Sequence, residues 1–437
     1  MNWDAVGAFG AAVPDVTPNL DHLAAQGVRF KHAHVTAAVC QPSREVLMTG
    51  RYPHRNGGMG FEPIWDHVET LQERLHQAGF LNGILGKVSH LAPEHRFRWD
   101  EHQDIGDLGF GRDPQKYADY ASRFFNRARE ESRSFFLMAN AHDPHRPFVG
   151  SEQETARFGD GVSSIPPPSA TFRPEDIVVP GFLPDIPDVR LEVAQYYNSC
   201  RRCDDTVGAV LAELDASGLA DETIVMFLSD NGMAFPFSKT NCYLNSTRTP
   251  WIVKWPGVTE AGKLDEDHFI SGIDFTPTIL DIAQVAPIEG VDGRSFADVL
   301  CGDKDAGRDR VFTVFHKTSA GTEYPMRGIQ TAQYGYVYNA WSDGKTEFKN
   351  ESQSGLTFKA MDAAAKEDEE IARRVYDFRY RTPEELYDFQ NDPDALHNLI
   401  DEPEQQDRKE TFRKDLLEWM REVEDPATDD FLGSIKR

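Results

Sequence analysis

Residues fit for chemistry fall in a few short segments of this chain. Cys40-Gln41-Pro42-Ser43-Arg44 puts a cysteine and an arginine close together, followed by Leu47-Met48-Thr49-Gly50-Arg51-Tyr52-Pro53. Gly86-Lys87-Val88-Ser89-His90 and His142-Asp143-Pro144-His145 supply cations and proton carriers. Ser229-Asp230-Asn231-Gly232 offers two side-chain oxygens suited to a hard cation such as calcium. Each segment has a plainer reading. A single lysine or histidine is usually a surface or satisfied core residue, Asp-Asn-Gly makes turns in any protein, and Cys40 could open a helix as a buried structural residue. Position favours the chemical reading, because three of the four segments directly follow an apolar run.

Those runs are the elements that must position the residues. Residues 80–85, 135–141 and 223–228 read as strands, a helix over 191–214 precedes the third, and 251–255 reads as another strand. Strand, loop and helix in alternation predict an α/β fold with a large, mostly parallel sheet flanked by helices. Open sheets of that kind build their sites just beyond the strand ends. The proline-rich stretch 164–187 reads as a long surface loop or pocket rim. Beyond about Gly307 the texture changes, with antiparallel strands expected at 311–315 and 335–341 and a terminal helix at 402–423. The chain therefore divides into a catalytic domain, residues 1–308, and a smaller C-terminal α+β antiparallel subdomain, residues 309–437.

Of the 437 residues, 40% are hydrophobic and 11% aromatic, enough for one large core and a lesser one. Seventy-two acidic residues against 46 basic give a formal charge of −26, which argues against a nucleic-acid partner. An anionic substrate is still open, since a basic pocket can lie inside an acidic surface. No apolar run approaches 18 residues, so no membrane span is expected. The five cysteines form no disulfide framework. Cys200-Arg201-Arg202-Cys203 has the spacing of a redox or zinc half-site, but it lies in a helical pattern without a second pair, so ordinary helix residues are expected.

The Cys40–Arg44 stretch, with Thr49-Gly50-Arg51-Tyr52-Pro53, resembles the sulfatase family of the alkaline phosphatase superfamily. In that family Cys-x-Pro-Ser-Arg is the signal read by a formylglycine-generating maturation enzyme. The resemblance implies that Cys40 becomes formylglycine, whose hydrated aldehyde carries two hydroxyls. One attacks sulfur, and deprotonating the other expels sulfate. It implies further that Arg44 belongs to the catalytic set, that Lys87 and Lys239 touch the sulfate, and that His145 protonates the leaving atom. His90 helps deprotonate the hydrated aldehyde, although one extra residue separates it from Lys87. Asp230, Asn231 and the modified Cys40 are the implied ligands of calcium, with magnesium as an alternative. Downstream, Lys239-Thr240-Asn241 and Thr247-Arg248-Thr249-Pro250 continue the match in order.

The resemblance extends over nearly the whole chain and is closest to the heparan N-sulfatase (sulfamidase) branch. Phe235-Pro236, Tyr324-Pro325-Met326-Arg327, Glu385-Leu386-Tyr387-Asp388, Asp392-Pro393 and Asn398-Leu399 carry it. The implied activity is hydrolysis of a sulfate ester or sulfamate on a sulfated saccharide, with His316 and Arg327 as candidates for sugar recognition. A phosphodiesterase or phosphonate monoester hydrolase of the same superfamily and a non-catalytic glycan-binding relative are the alternatives. A thiolate hydrolase built on Cys40 gives the Pro-Ser-Arg context no task.

One departure bears on the metal. Family members open with an apolar strand ending in Asp-Asp, two further metal ligands, and Asn2-Trp3-Asp4-Ala5-Val6-Gly7 resembles the segment that follows it. The expectation is that Met1 is internal to a longer protein, with the acidic pair upstream. A secretory signal, and with it a periplasmic or secreted location, would lie there too. The strand is interior to the family's sheet, so without it unpaired backbone and a void are expected.

Overall fold

The computed structural model describes residues 1–436. Its strands are β1 (Val28–His34), β2 (Leu81–Leu85), β3 (Glu101–Gln103), β4 (Phe135–Ala139), β5 (Val225–Leu228), β6 (Trp251–Lys254), β7 (Lys263–Ser271), β8 (Arg310–Lys317), β9 (Glu323–Thr331), β10 (Tyr334–Asn339) and β11 (Glu384–Asp388). They form a parallel sheet ordered β3-β2-β4, a mixed sheet ordered β5-β6-β1-β7 and an antiparallel sheet ordered β11-β10-β9-β8. The fold is α/β, with the antiparallel sheet in the C-terminal part of the chain. The strands expected at 80–85, 135–141, 223–228 and 251–255 are β2, β4, β5 and β6, each shortened by one to two residues. β1 and β7 were not read from the sequence. Histidines and charged residues interrupt both of them, Val28-Arg-Phe-Lys-His-Ala-His34 and Lys263-Leu-Asp-Glu-Asp-His268, and that hides their strand character.

The parallel and mixed sheets do not join. Among the described residues, nothing pairs the second edge of β4 or of β5. β5 is part-buried along its length, and so is β4 except for exposed Ala139 at its end. They border one cavity of about 820 Å³, walled by apolar side chains including Phe125, Leu137, Leu214, Met226 and Ile279, with a polar end at Cys40, Arg44 and Asp230. Unpaired strand edges beside an apolar void are costly in water-free surroundings.

The helix read at 191–214 runs from Pro187 to Ser217, with proline in its first turn and Gly218 in the left-handed region (φ 76°) closing it. At 1.5 Å per residue it spans about 46 Å. Val189, Val193, Tyr196, Cys200 and Cys203 recur on its buried side. Burial pushes the Cys200 thiol up to about 12 and raises Cys203 as well, so both are apolar packing residues, as the helical pattern suggested. The stretch 164–187 runs as a loop to the start of this helix. In the C-terminal part, helix Gln406–Glu422 covers the antiparallel sheet, stacking Phe412 on Tyr336 and Trp419 on Phe312 at 5.8 and 4.9 Å. No helix among the described residues is long and apolar enough to cross a membrane.

Candidate active site

Cys40 is the first residue of helix Cys40–Thr49, whose residues are all buried. Val39, at the N-cap, offers no side-chain cap, so the first peptide N–H groups and the positive end of the helix face the cavity beside Cys40. One turn on, Arg44 lies on the same face. Its Nε and Nη2 donate to Asp230 Oδ2 at 3.1 and 2.8 Å, and its Nη1 donates to Asn140 Oδ1. The Asn140 amide in turn donates to the carbonyls of Leu85, Gly86 and Met138 at 3.3, 3.0 and 3.2 Å. This one carboxamide ties the ends of β2 and β4 to the arginine of the Cys40 helix.

Lys87 follows β2 through two left-handed residues, Gly86 at φ 74° and Lys87 itself at φ 62°. A Cβ on Gly86 would come within 2.6 Å of the Asn140 carbonyl, so the close approach of the two strand ends requires glycine. A non-glycine residue held at positive φ stores strain of the kind found at functional sites. The Lys87 side chain is buried, and burial lowers its ammonium to about 8 against the pull of Cys40. His90 ends the short turn after Lys87 and packs edge-on to Phe61 at 5.8 Å. Burial first, then Lys87 and Arg44, push it down to about 3, so it is neutral, and its buried Nδ1 has no hydrogen-bond partner.

The loop after β4 brings in two more imidazoles. His142 and His145 lie 5.0 Å apart, and both line the cavity. Asp143 between them is clamped by Arg112 and Arg202 at 3.1 and 2.6 Å, and Arg112 also donates to the His145 carbonyl at 3.1 Å. His145 Nδ1 donates to the Arg146 carbonyl at 2.6 Å, which fixes the neutral tautomer and leaves Nε2 open. Burial, then Lys239 and Lys87, lower His145 to about 3, while Glu351 opposes them. Lys239 reaches Glu351 Oε1 at 2.5 Å. Burial works against its charge, yet the nearby negative groups, Glu351 and Asp230 among them, outweigh it and raise its basicity. Asp230 is likewise penalised by burial but held well below the usual carboxylate range by Arg44, the Met1 ammonium, Lys87 and Lys239.

Cys40, Arg44, Lys87, His145, Asp230, Asn231 and Lys239 all line one cavity end. Three fixed cations around a helix start, with two neutral imidazoles, suit a transferring group that carries negative oxygens. A family model described as Sulfatase matches residues 1–285, about two thirds of the chain. The chain belongs to the sulfatase family, hydrolases of sulfate esters and sulfamates. A second model, N-sulphoglucosamine sulphohydrolase, C-terminal, matches residues 233–350 of this sulfatase. Human N-sulphoglucosamine sulphohydrolase is 31% identical over 94% of this chain and 86% of its own length. An ulvan-active sulfatase of Formosa agariphila is 26% identical over 97% and 75%. In fold, the sulfatase superimposes with TM-score 0.72 and 18% identity on a protein solved with its substrate D-glucosamine-2-N,6-O-disulfate, covering 98% and 97% of the two chains.

The metal expected from the family finds a partial set of donors in this sulfatase. Asn231 Oδ1 is buried with no hydrogen-bond partner, as a ligand oxygen awaiting a cation would be. Asp230, however, is the carboxylate next to it, and its charge is already met by Arg44. Among the described residues no cluster of three or more His, Cys, Asp or Glu side chains could hold a metal. Calcium takes about six to eight oxygens. The residues present do not fit the ion by themselves.

Two expected sugar-binding residues lie elsewhere in the sulfatase. Arg327, 1% exposed, pairs with Asp425 at 2.5 and 2.9 Å and donates to the Phe315 and Met326 carbonyls, so its guanidinium has no face left for a sugar. His316 is buried near His54, at 5.9 Å between rings, and lies outside the cavity wall. Both sit on strands of the antiparallel sheet, β9 and β8, and belong to its packing. The site also holds residues the sequence reading missed. Asn140 had a weak signal, a polar residue closing an apolar strand. Glu351 had none, because it lies in a polar stretch 342–355 that resembles any surface loop.

Proposed function

We propose that this sulfatase removes the sulfo group from a sulfated amino sugar, using residue 40 in its formylglycine form. The observation that carries the reading is the buried cation set Arg44, Lys87 and Lys239 converging on the first turn of the Cys40 helix. The match to the N-sulphoglucosamine sulphohydrolase C-terminal model supports an N-sulfated substrate in particular. Formylglycine supplies a nucleophilic hydroxyl that the unmodified thiol lacks. Arg44, Lys87 and Lys239 hold the oxygens of the sulfo group and stabilise the charge that grows on them, each worth about 10²–10³ in rate. His145 presents Nε2 to the leaving atom. An arriving anion offsets the burial that keeps this imidazole neutral, so binding itself loads it with the proton the leaving group needs. The residue-40 proton is assigned to His90, which follows Lys87 but stands outside the cavity wall.

The test begins with the chain produced beside a maturation enzyme. Peptide mass spectrometry over residues 40–44 is expected to find formylglycine at position 40. Sulfate release is then compared on N-sulfoglucosamine, glucosamine 6-sulfate and an aryl phosphodiester, with calcium supplied. Release from the N-sulfated sugar ahead of the others is expected. An unmodified thiol with undiminished activity overturns the nucleophile, and preference for the phosphodiester favours the superfamily's phosphoryl hydrolases instead.

A further inference from the structure

A carboxylate borders this anion site through Lys239. Glu351 Oε1 lies 2.5 Å from Lys239 Nζ, with the Lys239 side chain 4% and the Glu351 side chain 31% exposed. It also acts electrostatically on His145 and Arg146. Its backbone is fixed from two sides. Asn350 caps the short turn that starts with Glu351 and donates to Thr240 Oγ1 at 2.5 Å, next to Lys239. Further on, the Leu356 and Thr357 amides donate to Glu192, which pairs with Arg146, the residue after His145. The segment 350–357 is therefore tied to the backs of Lys239 and His145, and Glu351 is held against Lys239.

For an enzyme that only gathered negative oxygens, this placement would be a loss, because the carboxylate repels the incoming anion and draws off part of the Lys239 charge. A carboxylate there is useful when the group leaving past His145 departs as a cation. When the N–S bond breaks, the one proton from His145 makes the freed nitrogen a neutral amine, which takes a second proton from water at neutral pH to become an ammonium, whereas a sugar hydroxyl freed from a sulfate ester stays neutral. We propose that Glu351 is a specificity-determining residue that receives the amino nitrogen of the departing sugar and so favours N-sulfated over O-sulfated substrates. The inference rests on the reading above that the substrate is an amino sugar. The rival account is a clamp that merely holds Lys239, and it predicts an equal effect on every substrate.

Glu351→Gln keeps the shape and an oxygen facing Lys239 but removes the charge, and Glu351→Asp serves as the conservative control. Binding of glucosamine and of glucose to the full chain is measured by titration calorimetry or ligand-observed NMR. Wild type is expected to bind glucosamine about tenfold more tightly than glucose, as a charge-assisted hydrogen bond allows. Glu351→Gln is expected to erase most of that difference, and Glu351→Asp to retain part of it. In turnover, Glu351→Gln is expected to lose about tenfold more on N-sulfoglucosamine than on 4-nitrophenyl sulfate. Unchanged discrimination between the two sugars, or an equal loss on both substrates, overturns the assignment in favour of the clamp. Wild type that desulfates only O-sulfated sugars refutes the N-sulfate reading of the function, while the glucosamine–glucose comparison still decides the role of Glu351.

Discussion

Asn140→Ala isolates the joint between the two strand ends and the arginine of the Cys40 helix. The substitution removes the acceptor of Arg44 Nη1 and the donor to the Gly86 carbonyl, both buried, along with weaker bonds to Leu85 and Met138. Each buried group left without a partner costs about 1–3 kcal/mol, so a stability loss of about 2–4 kcal/mol is expected in urea unfolding. Arg44 is not lost, because Asp230 still accepts from Nε and Nη2. It does lose the second restraint that fixes the plane of its guanidinium, and Lys87, carried by Gly86, loses the same anchor. A displacement of about 1 Å at a positioning group costs on the order of 10² in rate. A fall in kcat of about 10- to 100-fold is expected in sulfate release measured by ion chromatography, with a smaller change in KM. Asn140→Asp keeps an acceptor for Arg44 while losing the amide donors, so it should destabilise the fold yet keep more of kcat than alanine. A variant destabilised as expected but with kcat within about twofold of wild type would show that Asn140 only braces the strands.

The other predictions concern charge and metal. Burial lowers Lys87 to about 8, so the rate should fall as pH rises through that value, while kcat at pH 7 keeps the cationic form. The sign for stability is opposite: the unfolded chain holds this proton up to its ordinary value of 10.5, so the Lys87 contribution to stability should rise between pH 8 and 10.5 in urea titrations. Lys239→Ala should lower kcat by about 10²–10³, and Lys239→Arg should recover part of it; equal rates for all three proteins would remove Lys239 from the site. A strand of about six apolar residues ending in Asp-Asp, fused ahead of Met1, should raise bound calcium towards one ion per chain by equilibrium dialysis, and chelation should then abolish the gain in rate. Equal calcium content with and without the fusion would mean that the chain has another ligand set.

The sequence displayed the site better than the scaffold, for a physical reason. Lys87, His145 and Asp230 follow β2, β4 and β5, whose apolar runs are unbroken and therefore legible, and strand ends are where an open sheet presents polar groups. β1 and β7 gave no such signal, since their polar side chains are served by neighbours that only the fold supplies: Lys31 pairs with Glu266, and His268 pairs with Asp265. Arg327 and His316 misled because an arginine and a histidine on a strand read alike whether they face a ligand or a buried partner. Asp425, 98 residues downstream in the chain, decides the case for Arg327. Glu351 was invisible because its meaning comes wholly from Lys239, 112 positions earlier.

Among the described residues, the unpaired strand edges and the oxygen donors Asp230 and Asn231 meet at one place. β4 runs out at Ala139 into Asn140 and His142, and β5 runs out at Leu228 into Asp230, so both unpaired edges point their C-terminal ends at the active site. A strand laid parallel between them would satisfy both rows of peptide groups, fill the apolar part of the cavity, and deliver its own last residues beside Asp230 and Asn231. Acidic residues there would add charge where the donor set is short and face Asn231 Oδ1, which has no partner. Arg44 meanwhile neutralises Asp230. A divalent ion brought in with two new carboxylates would compete with Arg44 for Asp230 more effectively than an ion held by Asp230 and Asn231 alone. Pairing of β4 and β5 and tight metal binding should therefore appear together, since one inserted strand supplies both.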